Sequence, residues 1–271
     1  MINTANTLFR QWSNKKGLGP FFYLNKSMRK GDITLLHSND GFHGLDWGNQ
    51  WRTSRSLKLL DVLGKDWFEG KRILELGCGS VSVGIFFKSF GADITSTDIR
   101  KENLDLVKQK DPTAKTIILN QDAPWDLEEK FDLVIHWALL YNLDHWYSDL
   151  LCSLNHTVEY FCLETAVTKY KEPVETKILN PNYEHYSHGP ANNIGSLVSA
   201  SNIENIFKEQ NFSFVRYDDP SMNNPIAGTY DWVEENIPKE VAKNPHNVHG
   251  WWSNQYTDFP ARRFWLAKRS T

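Results

Sequence analysis

The feature that most constrains the fold is a short apolar segment that runs directly into a glycine-rich turn. Residues 71–76 read Lys-Arg-Ile-Leu-Glu-Leu, and Gly77, Cys78 and Gly79 follow at once. An apolar run this short is typical of a buried strand, and residues 83–89 after it indicate a helix. Glycine lets the backbone turn tightly and come close to a ligand, because it has no side chain. The segment therefore predicts a strand, a tight turn and a helix whose N-terminus faces a ligand.

Strand-like and helix-like segments continue to alternate through the middle of the chain. The predicted strands are 92–98, 116–119, 131–135 and 158–163, and the predicted helices are 101–110 and 140–154. Strands that alternate with helices form βαβ units, in which the strands lie parallel and helices cover both faces of the sheet. We therefore expect an α/β protein with a doubly wound, mostly parallel sheet.

The pattern changes near the end of the chain. Residues 165–193 show no clear period and are predicted to be an ordered loop. The closing elements are a predicted helix and two strands, at 199–210, 212–217 and 261–268. Ser201 or Asn202 is the predicted N-cap of that helix. We expect a cap at 1–55 and a main domain at 56–271, with cap inserts at about 165–196 and 218–260.

Composition excludes several classes of protein. The chain has 271 residues and a formal net charge of −3, which argues against a protein that wraps nucleic acid by charge. No uncharged apolar run approaches the roughly 20 residues of a membrane span. The first residues lack the basic segment followed by an apolar segment that is typical of a signal peptide. The three cysteines show no CxxC spacing, so we expect free thiols and a cytoplasmic protein. Two HxxH pairs, His185/His188 and His246/His249, lie in loop-like sequence without third and fourth ligands, so we expect no metal site.

Acidic residues follow the next two predicted strands. Asp98 ends the second strand, where a carboxylate can accept both hydrogen bonds of a ribose diol, and Asp122 follows the third. A dinucleotide is the competing ligand, but its GxGxxG motif requires glycine where Ser82 stands. Glu75 would also repel a pyrophosphate, whereas it would attract a cation. S-adenosylmethionine combines adenosine, an amino-acid tail and a positive sulfur, so it fits these residues best.

Together these segments resemble the core of class I S-adenosylmethionine-dependent methyltransferases. The resemblance covers about two thirds of the chain, in the segments ILELGCGS, STDIR, NQDAPW, FDLVIHWALLYNL, NIENIFKEQN, FSFVRY and RRFWLAKR. It implies a Rossmann-like sheet of seven strands with an antiparallel last strand, and S-adenosylmethionine as the cofactor. The sequence departs from the family at Val81, where a third glycine is common.

The resemblance also implies roles for residues at the strand ends. Glu75, Gly77 and Gly79 would hold the amino-acid end of the cofactor, Asp98 the ribose and Asp122 the adenine amino group. The other implied cofactor contacts are Cys78, Ile99, Ala123 and His136. Capping of a helix or turn is the alternative role for the two aspartates.

Catalysis requires few chemical groups if the reaction is methyl transfer from a sulfonium. The leaving group needs no proton, so alignment and exclusion of water suffice, with a base where the nucleophile is a hydroxyl. His136 follows the fourth predicted strand and is the first candidate for that base, since imidazole titrates near neutrality. Glu164 and His145 are the other candidates. The alternatives are a packed structural histidine at 136 and an orienting or capping carboxylate at 164.

Aromatic residues dominate the predicted acceptor site. The chain has 11 tryptophans, and the predicted acceptor contacts are Trp47, Trp51, Arg52, Tyr141, Trp251 and Trp252. Core filling is the alternative for each tryptophan. Arg52 and Arg55 would share one helix face, either to bind an anion or to lie in solvent. We expect segment 218–260 to close as a lid, with its tryptophans over the acceptor.

Three functions remain open from the sequence. The first is O-methylation of a small molecule or glycan, because the chain has no basic face and no Asn/Asp-Pro-Pro-Tyr-type motif after the fourth strand. The second is methylation of tRNA or another RNA, which would need a basic channel from Lys and Arg at 15, 16, 26, 29, 30, 52 and 55. The third is a non-catalytic binding module, if Val81 blocks the pocket. We expect neither a nucleic acid nor a membrane as partner.

The role of Asp98 can be tested by substitution. Asp98→Ala should weaken binding of S-adenosylmethionine by about 1–3 kcal/mol, because the ribose hydroxyls lose a buried acceptor. Titration calorimetry measures this loss, and circular dichroism checks that the fold is retained. Unchanged affinity would refute the assignment.

Overall fold

The computed structural model describes residues 46–79, 83–168, 175–179, 194–217 and 261–270, with the backbone alone at 46–54, 176–179 and 261. The first half contains α1 (Asp46–Leu63), a 3-10 turn (Lys65–Phe68), β1 (Arg72–Leu76), α2 (Gly84–Lys88), β2 (Asp93–Asp98), α3 (Lys101–Lys110), β3 (Lys115–Ile118) and β4 (Phe131–Trp137). The second half contains a 3-10 turn (Leu140–Asn142), α4 (Trp146–Asn155), β5 (Thr157–Thr168), β6 (Glu175–Leu179), β7 (Ile194–Ser199), α5 (Ala200–Glu209), β8 (Phe212–Arg216) and β9 (Ala261–Arg269).

Local chemistry explains where several of these elements lie. β1 and β4 are buried at nearly every position, as expected for central strands of a sheet covered on both faces. α3 ends shortly before Pro112, which cannot continue a helix. α5 begins where Ser199 Oγ accepts the Asn202 N–H at 3.3 Å. Its buried side consists of Ala200, Ile203, Ile206 and Phe207.

The sheet brings the ends of its central strands together. β3, β2, β1, β4 and β5 lie parallel in that order. β9 runs antiparallel to β5, and β8 runs antiparallel to β9. Because parallel strands all end at the same edge, β1, β2 and β4 open on one crevice. The predicted fold class, a mostly parallel sheet with an antiparallel last strand, is confirmed.

A hairpin adds two strands that the sequence does not predict, so the sheet has nine strands among the described residues instead of the predicted seven. β6 lies in the predicted insert at 165–196, and β7, which pairs antiparallel with it, begins there and extends to Ser199. β4 pairs with β5 as far as Glu164, and beyond it Val167 and Thr168 pair with β7. Val167 also pairs with Ala261 of β9 on its other side. The hairpin therefore pairs with the last residues of β5, on the side where β4 has ended.

Helices cover each face of the sheet. On the α1/α2 face, Leu59, Phe86 and Phe87 pack with Ile73, Leu133, Ile135 and Trp137 of the strands. On the α4/α5 face, Trp146, Leu150, Ile203 and Phe207 pack with Leu74, Val134 and Leu163. Successive residues of a strand point to opposite faces. Sequence position along β4 or β5 therefore assigns each side chain to one face.

Several element boundaries differ from the predictions, among them the end of β5, which runs to Thr168 and not to 163. The N-cap of α5 is Ser199, not Ser201 or Asn202, because Ser199 is the last extended residue before the first helical turn. α1 is continuous from Asp46 to Leu63 and so passes through the predicted domain boundary at 55. The predicted helix 140–154 is a 3-10 turn followed by α4. In the described ranges, no helix combines the length and the apolar character needed to cross a membrane.

The packing of the hairpin gives a stability prediction. A β-carbon at Gly195 would lie 2.3 Å from the backbone oxygen of Tyr141, so one of the two segments would have to move. Gly195→Ala should lower the free energy of unfolding by about 1–3 kcal/mol, measured by urea denaturation. Ser213→Ala on exposed β8 is the control and should change it by less than about 0.5 kcal/mol. Equal midpoints for the two variants would contradict this packing.

Candidate active site

The glycine-rich turn after β1 adopts the tight conformation that its sequence predicts. Gly77 and Gly79 have φ angles of 60° and 57°, in the left-handed region that favours glycine. A β-carbon on Gly77 would also lie 3.0 Å from the Leu139 side chain. Backbone strain and side-chain contact therefore both require glycine at position 77.

Glu75 fixes the segment that follows this turn. Its carboxylate accepts the N–H groups of Val83 at 2.6 Å and Gly84 at 2.9 Å, and the Ser96 hydroxyl at 3.3 Å. The first N–H groups of a helix have no partner within the helix, so a carboxylate stabilises them. Glu75 thus ties the start of α2 to β1. The Glu75 carboxylate is therefore buried beside the predicted cofactor site.

Asp98 ties the end of β2 to the same turn. Its Oδ2 atom accepts the Gly79 N–H at 2.9 Å, and its Oδ1 atom accepts the Arg100 N–H at 2.8 Å. Ile99 lies between Asp98 and Arg100, in the connection from β2 to α3. The sequence-predicted juxtaposition of Asp98 and the glycine-rich turn is therefore present in the structure.

Cys78 contributes a neutral group to this turn. Its N–H donates to the Thr97 backbone oxygen at 2.8 Å, and the side chain is buried. Burial raises the pKa of the Cys78 thiol well above its ordinary value, and the carboxylates of Glu75 and Asp98 raise it further. The thiol is therefore protonated near neutral pH and is a poor nucleophile.

The segment after β3 contributes the third side of the crevice. Asp122 Oδ1 accepts the backbone N–H of His145 at 2.7 Å, and Ala123 donates to the Asn120 backbone oxygen. His145 precedes the first turn of α4, and its side chain is 64% exposed. Asp122 therefore ties the segment after β3 to the residue that precedes α4.

His136, the first candidate for the base, lies in a buried hydrogen-bonded group. Its Nε2 atom is 2.6 Å from Asp149 Oδ2, and the Trp125 indole N–H donates to Asp149 Oδ1 at 2.8 Å. The imidazole is fully buried and makes an edge contact with Phe161. Its Nδ1 atom has no hydrogen-bond partner among the described residues. The ring is therefore held through Nε2 alone among the described residues.

His136 and Glu164 lie on opposite faces of the sheet. His136 pairs in register with Leu163, whose side chain packs on the α4/α5 face. Glu164 pairs with Trp137, which packs on the α1/α2 face. Since paired residues of parallel strands share a face, these two candidate bases do not form one catalytic pair.

Two arginines hold the Glu164 carboxylate. Arg262 donates to it through Nε at 2.6 Å and Nη2 at 2.7 Å, and Arg55 Nη2 lies 3.7 Å away. Glu164 and Arg55 are fully buried, and Arg262 packs over the ring of Tyr141 at 5.1 Å. Arg55 therefore does not lie on a solvated helix face. Both oxygens of Glu164 are thus bound by one guanidinium, which fixes the geometry of the two side chains.

The backbone after β4 is strained. Ala138 has a φ angle of 56°, which residues with a side chain rarely adopt. Its N–H donates to the Glu164 backbone oxygen at 2.8 Å, and its own oxygen accepts from the Asn142 side chain at 3.1 Å. Such strain persists only where the surroundings hold it, and it is common at functional sites.

The structure does not describe the side chains of several predicted acceptor residues. Trp47, Trp51 and Arg52 belong to α1, but only their backbone is described. Trp251 and Trp252, the rest of the predicted lid, and Val81 lie outside the described residues. Tyr141 is located, at the crevice edge beside Arg262.

Sequence reasoning missed Asp149 and Arg262. A sequence signal exists for Asp149, because it is spaced along α4 with Trp146, Leu150 and Ser153 on the buried side. A charged residue in such a set needs a buried partner. The pairing of Arg262 with Glu164 spans 98 residues and has no local signal.

The Glu164 cluster gives a second stability prediction. Glu164→Gln removes the buried charge that Arg55 and Arg262 share, and should lower the free energy of unfolding by about 3–5 kcal/mol. Asp105→Asn is the control, because its pair with Lys101 is exposed and should contribute little. Urea denaturation of both variants measures the difference. Similar small effects would show that the cluster is not buried as described.

A methyltransferase-domain family model matches residues 49–217, which is more than half of the chain. The comparison of this chain with curated protein sequences found no match.

Solved structures with the same fold extend the comparison. The N-terminal domain of EvdMO1 with SAH bound has a TM-score of 0.57 at 14% identity, covering 87% of this chain and 90% of that one. The same domain in the presence of SAH and D-fucose has a TM-score of 0.56 at 13% identity, covering 82% and 84%. Magnesium protoporphyrin IX methyltransferase (ChlM) from Synechocystis PCC 6803 with bound SAM has a TM-score of 0.53 at 13% identity, covering 98% and 97%.

At these identities the solved structures establish the fold, and the family match carries the identification. The parallel strand order and the glycine turn agree with it. The protein therefore belongs to the methyltransferase-domain family, and its prediction as a class I S-adenosylmethionine-dependent methyltransferase is confirmed.

Proposed function

We propose that the protein methylates a hydroxyl group of a small molecule or glycan, with His136 as the general base. The observation that carries this proposal is the hydrogen bond of 2.6 Å between His136 Nε2 and Asp149, which leaves Nδ1 without a partner among the described residues. A base held in this way suits an acceptor that must lose a proton during transfer.

The cofactor of this methyltransferase is S-adenosylmethionine, and the residues at the crevice fit it. The glycine turn offers backbone without side chains, Cys78 adds no negative charge, and carboxylates lie where a cation would be attracted. We propose Glu75, Gly77, Cys78 and Gly79 for the amino-acid end, Asp98 and Ile99 for the ribose, and Asp122 and Ala123 for the adenine. The backbone of His136 would complete the site. When bound, the cofactor supplies an electrophilic methyl group on a positive sulfur.

The need for a base favours oxygen over nitrogen as the methylated atom. A neutral amine has a nucleophilic lone pair and can lose its proton after transfer, whereas a neutral hydroxyl is a poor nucleophile until its proton is removed. His136 Nδ1 can accept that proton within a site that excludes water. Of the other candidates, Glu164 is already bound by Arg262, and His145 is exposed.

Comparisons support a small-molecule acceptor without identifying it. EvdMO1, which shares the fold, was crystallised in the presence of D-fucose, and a sugar is one acceptor of the proposed class. Tyr141 beside Arg262 is the located part of the proposed acceptor wall, with Trp47, Trp51, Arg52, Trp251 and Trp252 as its further members. The free cysteines fit the reducing cytoplasm, where we propose that the protein works.

The proposed reaction is tested with cofactor that carries a labelled methyl group. Panels of free sugars, glycosides, phenols, amines and bulk tRNA are incubated with the protein, and labelled products are analysed by mass spectrometry and carbon NMR. An O-methyl product from a sugar or phenol supports the proposal. Exclusive labelling of tRNA or of an amine overturns it.

His136→Asn tests the base once an acceptor is known. The turnover rate should fall by about 10²–10⁴-fold, because the acceptor proton has no base, while cofactor affinity stays within about twofold. Initial rates and titration calorimetry give the two quantities.

Thr157→Val is the control for the loss of a buried polar group. Thr157 is buried at the start of β5, where its hydroxyl donates to the Ser153 backbone oxygen at 2.8 Å. This variant should lose stability yet keep its turnover rate at temperatures where it is folded. Equal losses of rate in the two variants would reject His136 as the base.

A further inference from the structure

We propose that Asp149 is a positioning residue that fixes the tautomer of His136, so that Nδ1 is the ring atom that accepts the proton. This inference rests on the proposed function, in which His136 is the base. It assigns a role to Asp149 and, through it, to Trp125.

The hydrogen-bonding capacities of the three side chains decide the tautomer. The indole N–H of Trp125 can only donate, so Asp149 Oδ1, at 2.8 Å, is an acceptor. An ionised carboxylate accepts at its other oxygen as well. His136 Nε2, 2.6 Å from Asp149 Oδ2, is therefore the donor and carries the ring proton.

A neutral imidazole with its proton on Nε2 has a lone pair on Nδ1. This Nδ1 atom has no hydrogen-bond partner among the described residues, and the side chain is 0% exposed. Burial of an unsatisfied polar atom is unfavourable, so its presence calls for an explanation. The hydroxyl of a bound acceptor supplies the missing donor and is also the group that must lose a proton.

Among these neighbours of His136, Asp149 determines which ring nitrogen carries the proton. On β1 and β5 the residues in register are Leu76 and Leu163, and Phe161 contacts the ring edge. Asp149 comes from α4. None of the three residues on the strands is titratable, so within this set the carboxylate alone fixes the tautomer.

The tautomer is read directly in the unmodified protein. Two-bond proton–nitrogen correlation spectra of the ¹⁵N-labelled full chain distinguish the protonated from the unprotonated ring nitrogen, and the missing signals of His136→Asn identify residue 136. We expect the ring of His136 to carry its proton on Nε2 and none on Nδ1. A neutral ring with its proton on Nδ1, or a doubly protonated ring, would overturn the proposal.

Asp149→Asn should reverse the tautomer. Trp125 still requires an acceptor, so the asparagine oxygen faces the indole and the amide NH₂ faces His136. Nε2 must then accept, and the ring proton moves to Nδ1. Trp125→Phe removes the competing donor. In the double variant Trp125→Phe/Asp149→Asn, the amide can rotate, present its oxygen to Nε2–H and restore the original tautomer.

Turnover should follow the tautomer. We expect Asp149→Asn to lower kcat by about tenfold or more with little change in KM for the cofactor, and the double variant to recover most of that loss. The Trp125→Phe variant alone should keep the wild-type tautomer. Equal loss of kcat in Asp149→Asn and the double variant, with the tautomer unchanged in both, would mean that Asp149 is only structural and would overturn the proposal.

The two proposals can fail separately. If His136→Asn is inactive but Asp149→Asn keeps the wild-type tautomer, the positioning proposal fails and the base remains. If the tautomers change as expected but His136→Asn keeps full activity, the base assignment fails and the positioning proposal falls with it.

Discussion

The site depends on buried carboxylates that bind backbone N–H groups at the ends of β1 and β2. Glu75 accepts from Val83 and Gly84 at the start of α2, and Asp98 accepts from Gly79. These N–H groups lie at a turn and a helix start, where the backbone offers them no partner. The carboxylates satisfy them, and charge-assisted hydrogen bonds offset part of the cost of burying the charge. The two carboxylates therefore hold the backbone at Gly79, Val83 and Gly84 through side-chain hydrogen bonds.

The alternation of side chains along the strands divides the crevice into two chemical regions. His136 and Asp149 lie on the α4/α5 face, and Glu164 with Arg262 lies on the α1/α2 face. A slip of β5 by one residue against β4 would move Glu164 to the face that holds His136. In one region a buried histidine is hydrogen-bonded to an aspartate. The other is an ion-pair cluster that joins α1 to β5 and β9.

Sequence reasoning succeeded where the determinants are local. The order of strands and helices and the position of Asp98 follow from short-range periodicity in the sequence. The tight turn follows from positions that only glycine can occupy without strain. It failed for the β6–β7 hairpin, whose polar segment has no clear alternation, and for the contact between Glu164 and Arg262, which joins residues 98 positions apart. His136 was found from its place at a strand end, but its orientation depends on Asp149, and tertiary packing alone brings those two together.

The hairpin that the sequence did not predict supports the segment that carries the proposed chemistry. The strained Ala138 follows β4, and its oxygen is held by Asn142 of the next 3-10 turn. That turn also provides the Tyr141 backbone oxygen, which approaches Gly195 of β7 so closely that a β-carbon would not fit there. Because β7 is anchored to the end of β5, the turn is pressed between the hairpin and the sheet. Strain at Ala138 can persist only in such confined surroundings. The insertion beside the core thus confines the turn that follows His136 and Trp137 at the end of β4.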